Sequence, residues 1–118
     1  AGIAIREHVP VYKYYFTHHP RVWDLDFLNA THTGDIPFVF HNPSHVAPLF
    51  IHYSGFTHDG WKLSNSMVKL WTSMASTGNP SDSGITWPVY ESSKNLTLVL
   101  NEPLSVMEQH ENYCEYWK

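Results

Sequence analysis

The stretch that decides the fold is VPVYKYYF, from Val9 to Phe16. β-Branched and aromatic residues dominate it, and prolines lie at its borders, so the pattern predicts a β-strand over residues 9–16. Successive side chains of a strand point to opposite faces of the sheet. Because both faces are apolar here, we expect a strand buried inside a sheet and not one half of an exposed hairpin.

The rest of the chain does not supply a sheet that could bury this strand. A long helix is predicted over about residues 62–77, where apolar residues recur at spacings of three and four: Leu63, Met67, Leu70, Trp71 and Met74. Gly78 suits its C-terminal cap, and Pro80 prevents its continuation. Short strands are predicted at about 86–90 and 95–100, and a terminal helix at about 103–112. These elements would leave strand 9–16 with open edges and faces, so residues 1–118 are expected to form one part of a larger domain.

Composition and charge narrow the possible functions. Of the 118 residues, 42% are hydrophobic and 15% aromatic, which is typical of a globular chain. The formal net charge is −4 and the seven Lys and Arg residues are scattered, so no basic stripe could follow a nucleic-acid backbone. No apolar run approaches the roughly 20 residues of a membrane-spanning helix. The opening AGIAIREHVP lacks the basic start of a signal peptide, and we expect upstream sequence to precede it.

Two glycosylation sequons favour a secreted protein. The triplets NAT at Asn29 and NLT at Asn95 are glycosylation sequons, whereas proline blocks NPS at Asn42 and at Asn79. The single cysteine, Cys114, is either a small buried hydrophobic residue or, in a secreted protein, half of a disulfide with a partner outside this chain.

The residues that could carry chemistry lie after the predicted strand. Residues 17–34 form a long loop with no periodicity, and long loops within compact domains are usually functional. His32 lies near the end of this loop, and DIPFVF (residues 35–40) predicts a short helix with Asp35 near its start and Pro37 in its first turn. A histidine is the side chain best suited to act as a base near neutral pH. The sequence therefore offers His32 as a candidate general base.

Four blocks of the chain resemble the type-B carboxylesterase, cholinesterase and lipase family, in the family's order. HTGDIPFVF (residues 32–40) is similar to the family's histidine motif, His-Gly-x-Glu-(Ile/Leu)-x-(Phe/Tyr)-Val-Phe. MVKLWTSMASTGNPSDSGITWPVY (residues 67–90) is similar to its Trp-x-x-Phe-Ala-x-Thr-Gly-x-Pro and Trp-Pro-x-Tyr segment. VYKYYFTHHP (residues 11–20) resembles its last long strand, and CEYW (residues 114–117) its Cys-x-Phe-Trp ending.

The resemblance implies the C-terminal part of an α/β-hydrolase fold, completing a mostly parallel sheet with upstream residues. It implies a secreted serine carboxylesterase, with His32 as the histidine of a Ser-Glu-His triad and the serine and acid upstream. It also implies that Cys114 forms a disulfide with a cysteine before the long strand. The implied partners are the rest of the enzyme and a small ester substrate, with no metal or organic cofactor.

The motif of this chain departs from the family pattern around His32. Thr33 replaces the usual glycine, Gly34 replaces a larger residue, and Asp35 stands where glutamate is common. Asp35 is expected to support the start of the helix or a contact behind the site, and not to be the triad acid. The alternative function is a cholinesterase-like adhesion domain that keeps the fold and has lost the serine.

The other histidines carry weaker functional predictions. His18 and His19 follow the strand and are expected at its solvent end. His41 and His45 have a four-residue spacing, but Pro43 between them breaks the helix that would bring both rings to one metal ion.

Overall fold

The computed structural model describes residues 9–19, 30, 32–43, 55–82 and 84–109 of the chain. These residues form a three-stranded sheet and two helices. In chain order the elements are β1 (Tyr14–Phe16), α1 (Ile36–Val39), α2 (His58–Thr77), β2 (Leu96–Leu100) and β3 (Ser105–Glu108). The predicted positions Asn29 and Cys114, and residues 20–29 and 31 of the histidine loop, lie outside the described ranges.

The sheet is partly parallel, with strand order β1-β2-β3. β1 runs parallel to β2 with Tyr14 opposite Leu98, and β3 pairs antiparallel to the other edge of β2. The hydrogen-bonded strand β1 is shorter than the predicted 9–16, although its backbone stays paired upstream through an isolated bridge between Tyr12 and Val89. Tyr14 and Tyr15 point to opposite faces and are 39% and 50% exposed. Within the described residues, one face of β1 is therefore exposed at Tyr15, and the other is only partly covered, because Phe16 packs against the core while Tyr14 remains accessible. This is expected for part of a larger sheet.

The long helix α2 supplies much of the core. It begins at His58, four residues before the predicted start, because the Thr57 hydroxyl accepts a hydrogen bond from the Gly60 amide and caps the first turn. It ends at Thr77, where Gly78 adopts the left-handed conformation with φ 75° that the sequence predicted for the cap. The buried stripe of the helix packs with the sheet and with α1 in one cluster: Phe38, Leu63, Met67, Leu70, Trp87, Leu98 and Leu100.

Two predicted elements differ from the structure. The terminal helix predicted over about 103–112 is wrong for its described first part, because residues 105–108 form strand β3. Tertiary pairing overrides local propensity here, since β3 satisfies the main-chain groups on the second edge of β2. The predicted strand at about 86–90 is reduced to the single bridged residue Val89, because Pro88 has no amide hydrogen to give a ladder.

Within the described ranges, none of the helices has the length and apolar character needed to cross a bilayer.

Candidate active site

The imidazole of His32 is exposed, in a turn of residues 32–35 that leads directly into α1. The turn is closed by a hydrogen bond from the Ile36 amide to the Thr33 carbonyl, 3.2 Å long. Thr33 has φ 68°, in the left-handed region that glycine adopts most easily. Thr33 therefore holds a backbone conformation that glycine would adopt with less strain, at the position where the motif that this stretch resembles has glycine.

The turn is held in place because α1 is anchored in the core by Phe38. This side chain is 0% exposed. Its ring stacks on Phe56 at a centroid distance of 4.4 Å and contacts Phe16 of β1 at 5.4 Å. Pro37 lies in the first turn of α1, as the sequence predicted, and it is also buried. A four-residue helix has little stability of its own, so its position depends on these contacts.

A second anchor ties the end of α1 to α2 through Ser64. The buried Ser64 hydroxyl donates a 2.8 Å hydrogen bond to the Phe38 carbonyl. The same oxygen lies 2.8 Å from Nδ1 of His41. Because the hydroxyl proton is used on Phe38, the His41 ring nitrogen is the donor of this second bond. His41 is therefore tied to α2, and this contact gives it a structural role.

Asp35 stands at the N-cap of α1, yet its side chain makes no capping hydrogen bond. Its carboxylate instead accepts a 3.0 Å hydrogen bond from the Tyr14 hydroxyl of β1. Partial burial, followed by the hydrogen bond to Asp35 and the negative charge of Asp35, raises the pKa of Tyr14. The contact joins the turn of residues 32–35, called the histidine turn below, to the sheet. This is the supporting role that the sequence suggested for Asp35.

His18 is buried at 8% exposure, so its predicted position at the solvent end of the strand is wrong, whereas His19 is exposed as expected. Nδ1 of His18 lies 3.0 Å from the side-chain oxygen of Asn101, just after β2. That oxygen also accepts from the Glu102 amide, so the His18 ring donates to it. His18 therefore links the ends of β1 and β2.

Asn95, the described sequon residue, is already engaged. It has φ 47°, its side-chain nitrogen donates to the Gln109 carbonyl, and its side-chain oxygen accepts from Lys13 at 3.3 Å. A glycan would attach to the nitrogen that makes the contact with Gln109. Glycosylation of Asn95 stays a prediction, and it requires this contact to be remade.

Among the described residues, no cluster of three or more His, Cys, Asp or Glu side chains could hold a metal ion.

On the partly covered face of β1, an apolar groove of about 540 Å³ runs between the strand and the second half of α2. Tyr14, Trp71 and Met74 line it. A surface of this character is typical of a protein–protein or intramolecular contact.

Comparison with known proteins decides the family. The sequence profile described as "Carboxylesterase family" matches residues 2–117. The chain belongs to the carboxylesterase family. It is 32% identical to carboxylesterase 5A of Felis catus over 92% of its own length and 20% of that protein. It is 29% identical to the para-nitrobenzyl esterase of Bacillus subtilis over 89% of its length and 21% of that protein.

Solved structures agree with this assignment. A PNB esterase structure superposes with a TM-score of 0.73 at 27% identity, covering 95% of this chain and 22% of the esterase. An esterase from Clostridium hathewayi, described as able to hydrolyse aliphatic aromatic polyesters, superposes with a TM-score of 0.74 at 26% identity, covering 92% of this chain and 20% of that esterase. The chain thus has the fold of one part of an α/β-hydrolase, as the sequence predicted, and spans about a fifth of the length of the relatives it matches.

Sequence analysis found His32 and Asp35 but not the partners that hold their turn. The sequence pattern marks Tyr14 only as a strand residue, and the predicted helix gives no particular role to Ser64. The signal for Ser64 was present, because it lies next to Leu63 and three residues before Met67, inside the apolar stripe. No sequence signal pairs Tyr14 with Asp35, since the two are 21 residues apart.

Proposed function

We propose that this chain is the histidine-bearing segment of a serine carboxylesterase, in which His32 is the general base. One observation carries the proposal. In a chain of the carboxylesterase family, His32 is exposed on a turn that several contacts anchor to the core. A base works best when it is open to the reacting group and fixed in direction. His32 has the first property by exposure, and α1 and its anchors fix the position of the turn that carries it.

The chemistry assigned to His32 is a proton transfer in two directions. The imidazole takes the proton of a serine hydroxyl as the serine oxygen attacks the ester carbonyl, and an oxyanion hole stabilises the tetrahedral intermediate. The imidazolium then gives that proton to the departing alcohol, which leaves an acyl-enzyme. In the second half, His32 activates a water molecule that releases the carboxylic acid. The reaction needs no metal or organic cofactor.

The serine and the triad acid belong, in this proposal, to sequence outside this segment. The chain contains no Gly-x-Ser-x-Gly elbow. Asp35 is unsuited to be the acid because its carboxylate is engaged by Tyr14 on β1. The partner is therefore the remainder of the enzyme, in the same polypeptide or as a separate chain linked through Cys114. The exposed side chains of β1 and the apolar groove beside it are the surfaces that such a partner would cover.

Ester turnover by the complete protein tests the role of His32. We expect His32→Ala to lower kcat/KM for a simple aryl ester by about 10³-fold or more, because the serine loses its base. His58→Ala is the matched control, since it removes an exposed histidine from the first position of α2, outside the turn that carries His32. Turnover by His32→Ala within a few-fold of wild type would show that another group is the base.

We further propose that the protein is secreted, with a disulfide at Cys114 and glycosylation at Asn95 or Asn29. Non-reducing electrophoresis of the complete protein tests the disulfide, because an interchain bridge predicts loss of a larger band on reduction. A wild-type protein that turns over no ester while it folds normally would favour the adhesion function.

A further inference from the structure

A carboxylate only three residues after the proposed base needs an explanation, because an unrestrained Asp35 could compete for the imidazole. Its side chain does not cap α1, although it stands at the N-cap position. It accepts a hydrogen bond from the Tyr14 hydroxyl at 3.0 Å instead. The carboxylate is thus turned toward the strand on which Tyr14 lies.

The Tyr14 hydroxyl is placed by the packing of its ring. The ring contacts Trp71 of α2 edge-on at a centroid distance of 5.4 Å, and Trp87 at 6.0 Å. Trp87 is fixed in turn, because its indole N–H donates a 3.0 Å hydrogen bond to the Lys13 carbonyl next to Tyr14. The donor therefore comes from a set of rings fixed against the sheet and α2. A phenol is protonated at neutral pH, and burial together with Asp35 raises the pKa of Tyr14 further.

The path from Asp35 back to His32 is short and constrained. Only Thr33 and Gly34 separate the two residues, and Thr33 holds the left-handed φ of 68°. The Ile36 amide closes this turn on the Thr33 carbonyl, and the Asp35 carbonyl accepts from the amides of Phe38 and Val39 at 3.1 Å each. Asp35 is therefore part of the same hydrogen-bonded turn that carries His32.

We propose that Tyr14 and Asp35 are a positioning pair for His32: the phenol holds the carboxylate against β1, which fixes the histidine turn and keeps the carboxylate away from the imidazole. This inference rests on the proposed function, since it assigns a role in supporting that base. Neither residue touches the reacting atoms. The pair has two separable effects, one on the geometry of the turn and one on the charge near His32.

Substitutions in the complete enzyme separate these effects. Tyr14→Phe keeps the ring and removes the donor, so we expect kcat to fall by roughly 10-fold with KM within about twofold, because misplacement acts on the reacting group. The released carboxylate is free to approach the imidazole and to stabilise its protonated form. The acidic limb of the kcat/KM pH profile should therefore move to higher pH, by roughly half a unit to one unit.

Asp35→Ala breaks the same hydrogen bond from the other side and also removes the charge. It should show the same loss of kcat without the shift of the acidic limb. Adding Asp35→Asn to Tyr14→Phe should return the limb to its wild-type position. Tyr12→Phe is the control, because it removes a phenol hydroxyl two residues away on the same face of the same segment; we expect its kcat and its pH profile to match wild type.

A purely structural hydrogen bond would lower the melting temperature of Tyr14→Phe and leave kcat and the acidic limb unchanged, which would overturn the proposal. If Tyr14→Phe fails to fold, Asp35→Ala still decides it, since a kcat equal to wild type contradicts a positioning role. Failure of the proposed function is a separate result, because it appears as ester turnover that survives His32→Ala.

Discussion

Removal of the Ser64 hydroxyl tests how the histidine turn is held, because Ser64 ties the end of α1 to α2. Ser64→Ala takes away the donor to the Phe38 carbonyl and the acceptor for His41, both at 2.8 Å. Ser64 and Phe38 are both 0% exposed, so the carbonyl has no access to replacement water. A buried acceptor left without a partner costs about 1–3 kcal/mol. The His41 bond adds little, because this exposed ring can bond to solvent.

The substitution also has a favourable component, because alanine is a better helix former than serine by about 0.5 kcal/mol. Ser66→Ala is the matched control, since it makes the same change in the same helix two residues later and lies outside this chain of hydrogen bonds. We expect Ser66→Ala to be neutral or stabilising by about 0.5 kcal/mol. The difference between the two variants therefore isolates the buried hydrogen bond.

Native-state hydrogen exchange on the complete protein measures this locally. The amides of Phe40 and Asn42 bond to the carbonyls of Ile36 and Pro37, so they exchange when α1 opens. A loss of 1–3 kcal/mol corresponds to protection that falls about 5- to 150-fold at these amides. Equal protection in Ser64→Ala and Ser66→Ala would refute the conclusion that Ser64 holds α1 in place.

Three further predictions follow from the described contacts. Phe38→Ala should destabilise the protein by about 3–5 kcal/mol, measured by denaturant unfolding, because a fully buried ring is removed from the centre of the aromatic cluster; a loss below 1 kcal/mol would contradict that burial. Thr33→Gly should raise the melting temperature or leave it unchanged, because glycine relieves the left-handed backbone strain at φ 68°; a clear decrease would show that the threonine side chain stabilises the turn. Wild type should have a higher free energy of unfolding than Tyr14→Phe at neutral pH. This difference should disappear as pH rises through the raised pKa of Tyr14, because the deprotonated phenol cannot donate to Asp35. A difference that persists at the most alkaline pH at which both proteins fold would contradict the prediction.

The sequence predicts the parts of this fold that depend on local periodicity and on fixed backbone requirements. The stripe of α2 and its Gly78 cap belong to this group, as does the start of α1 with Pro37 in its first turn. The predicted start of α2 is four residues too late, because the apolar stripe begins only at Leu63, whereas the Thr57 cap starts the helix at His58 and Gly60 lies inside it. The strand β3 could not be predicted from its own residues, because the free edge of β2 decides its conformation.

The candidate site divides in the same way. His32 is identified from a sequence motif. A general base near neutral pH is best supplied by histidine, and the left-handed backbone of the turn limits which residues can follow it. The partners of its turn come from long-range packing: Ser64 is 26 residues from Phe38, and Tyr14 is 21 residues from Asp35. Hydrogen bonds over such separations have no periodic signal in one sequence. The burial of His18 was missed for the same reason, because its partner Asn101 lies 83 residues away.

The most direct test of the central claim is the labelling of the complete protein by a fluorophosphonate probe, which reacts with a serine only when a base activates it. We predict one label per molecule on a serine outside this segment, with a labelling rate that falls by about 10³-fold in His32→Ala and stays unchanged in His58→Ala. A wild-type protein that takes no label, or a His32→Ala variant that labels as fast as wild type, would contradict the claim that this chain supplies the base of a serine esterase.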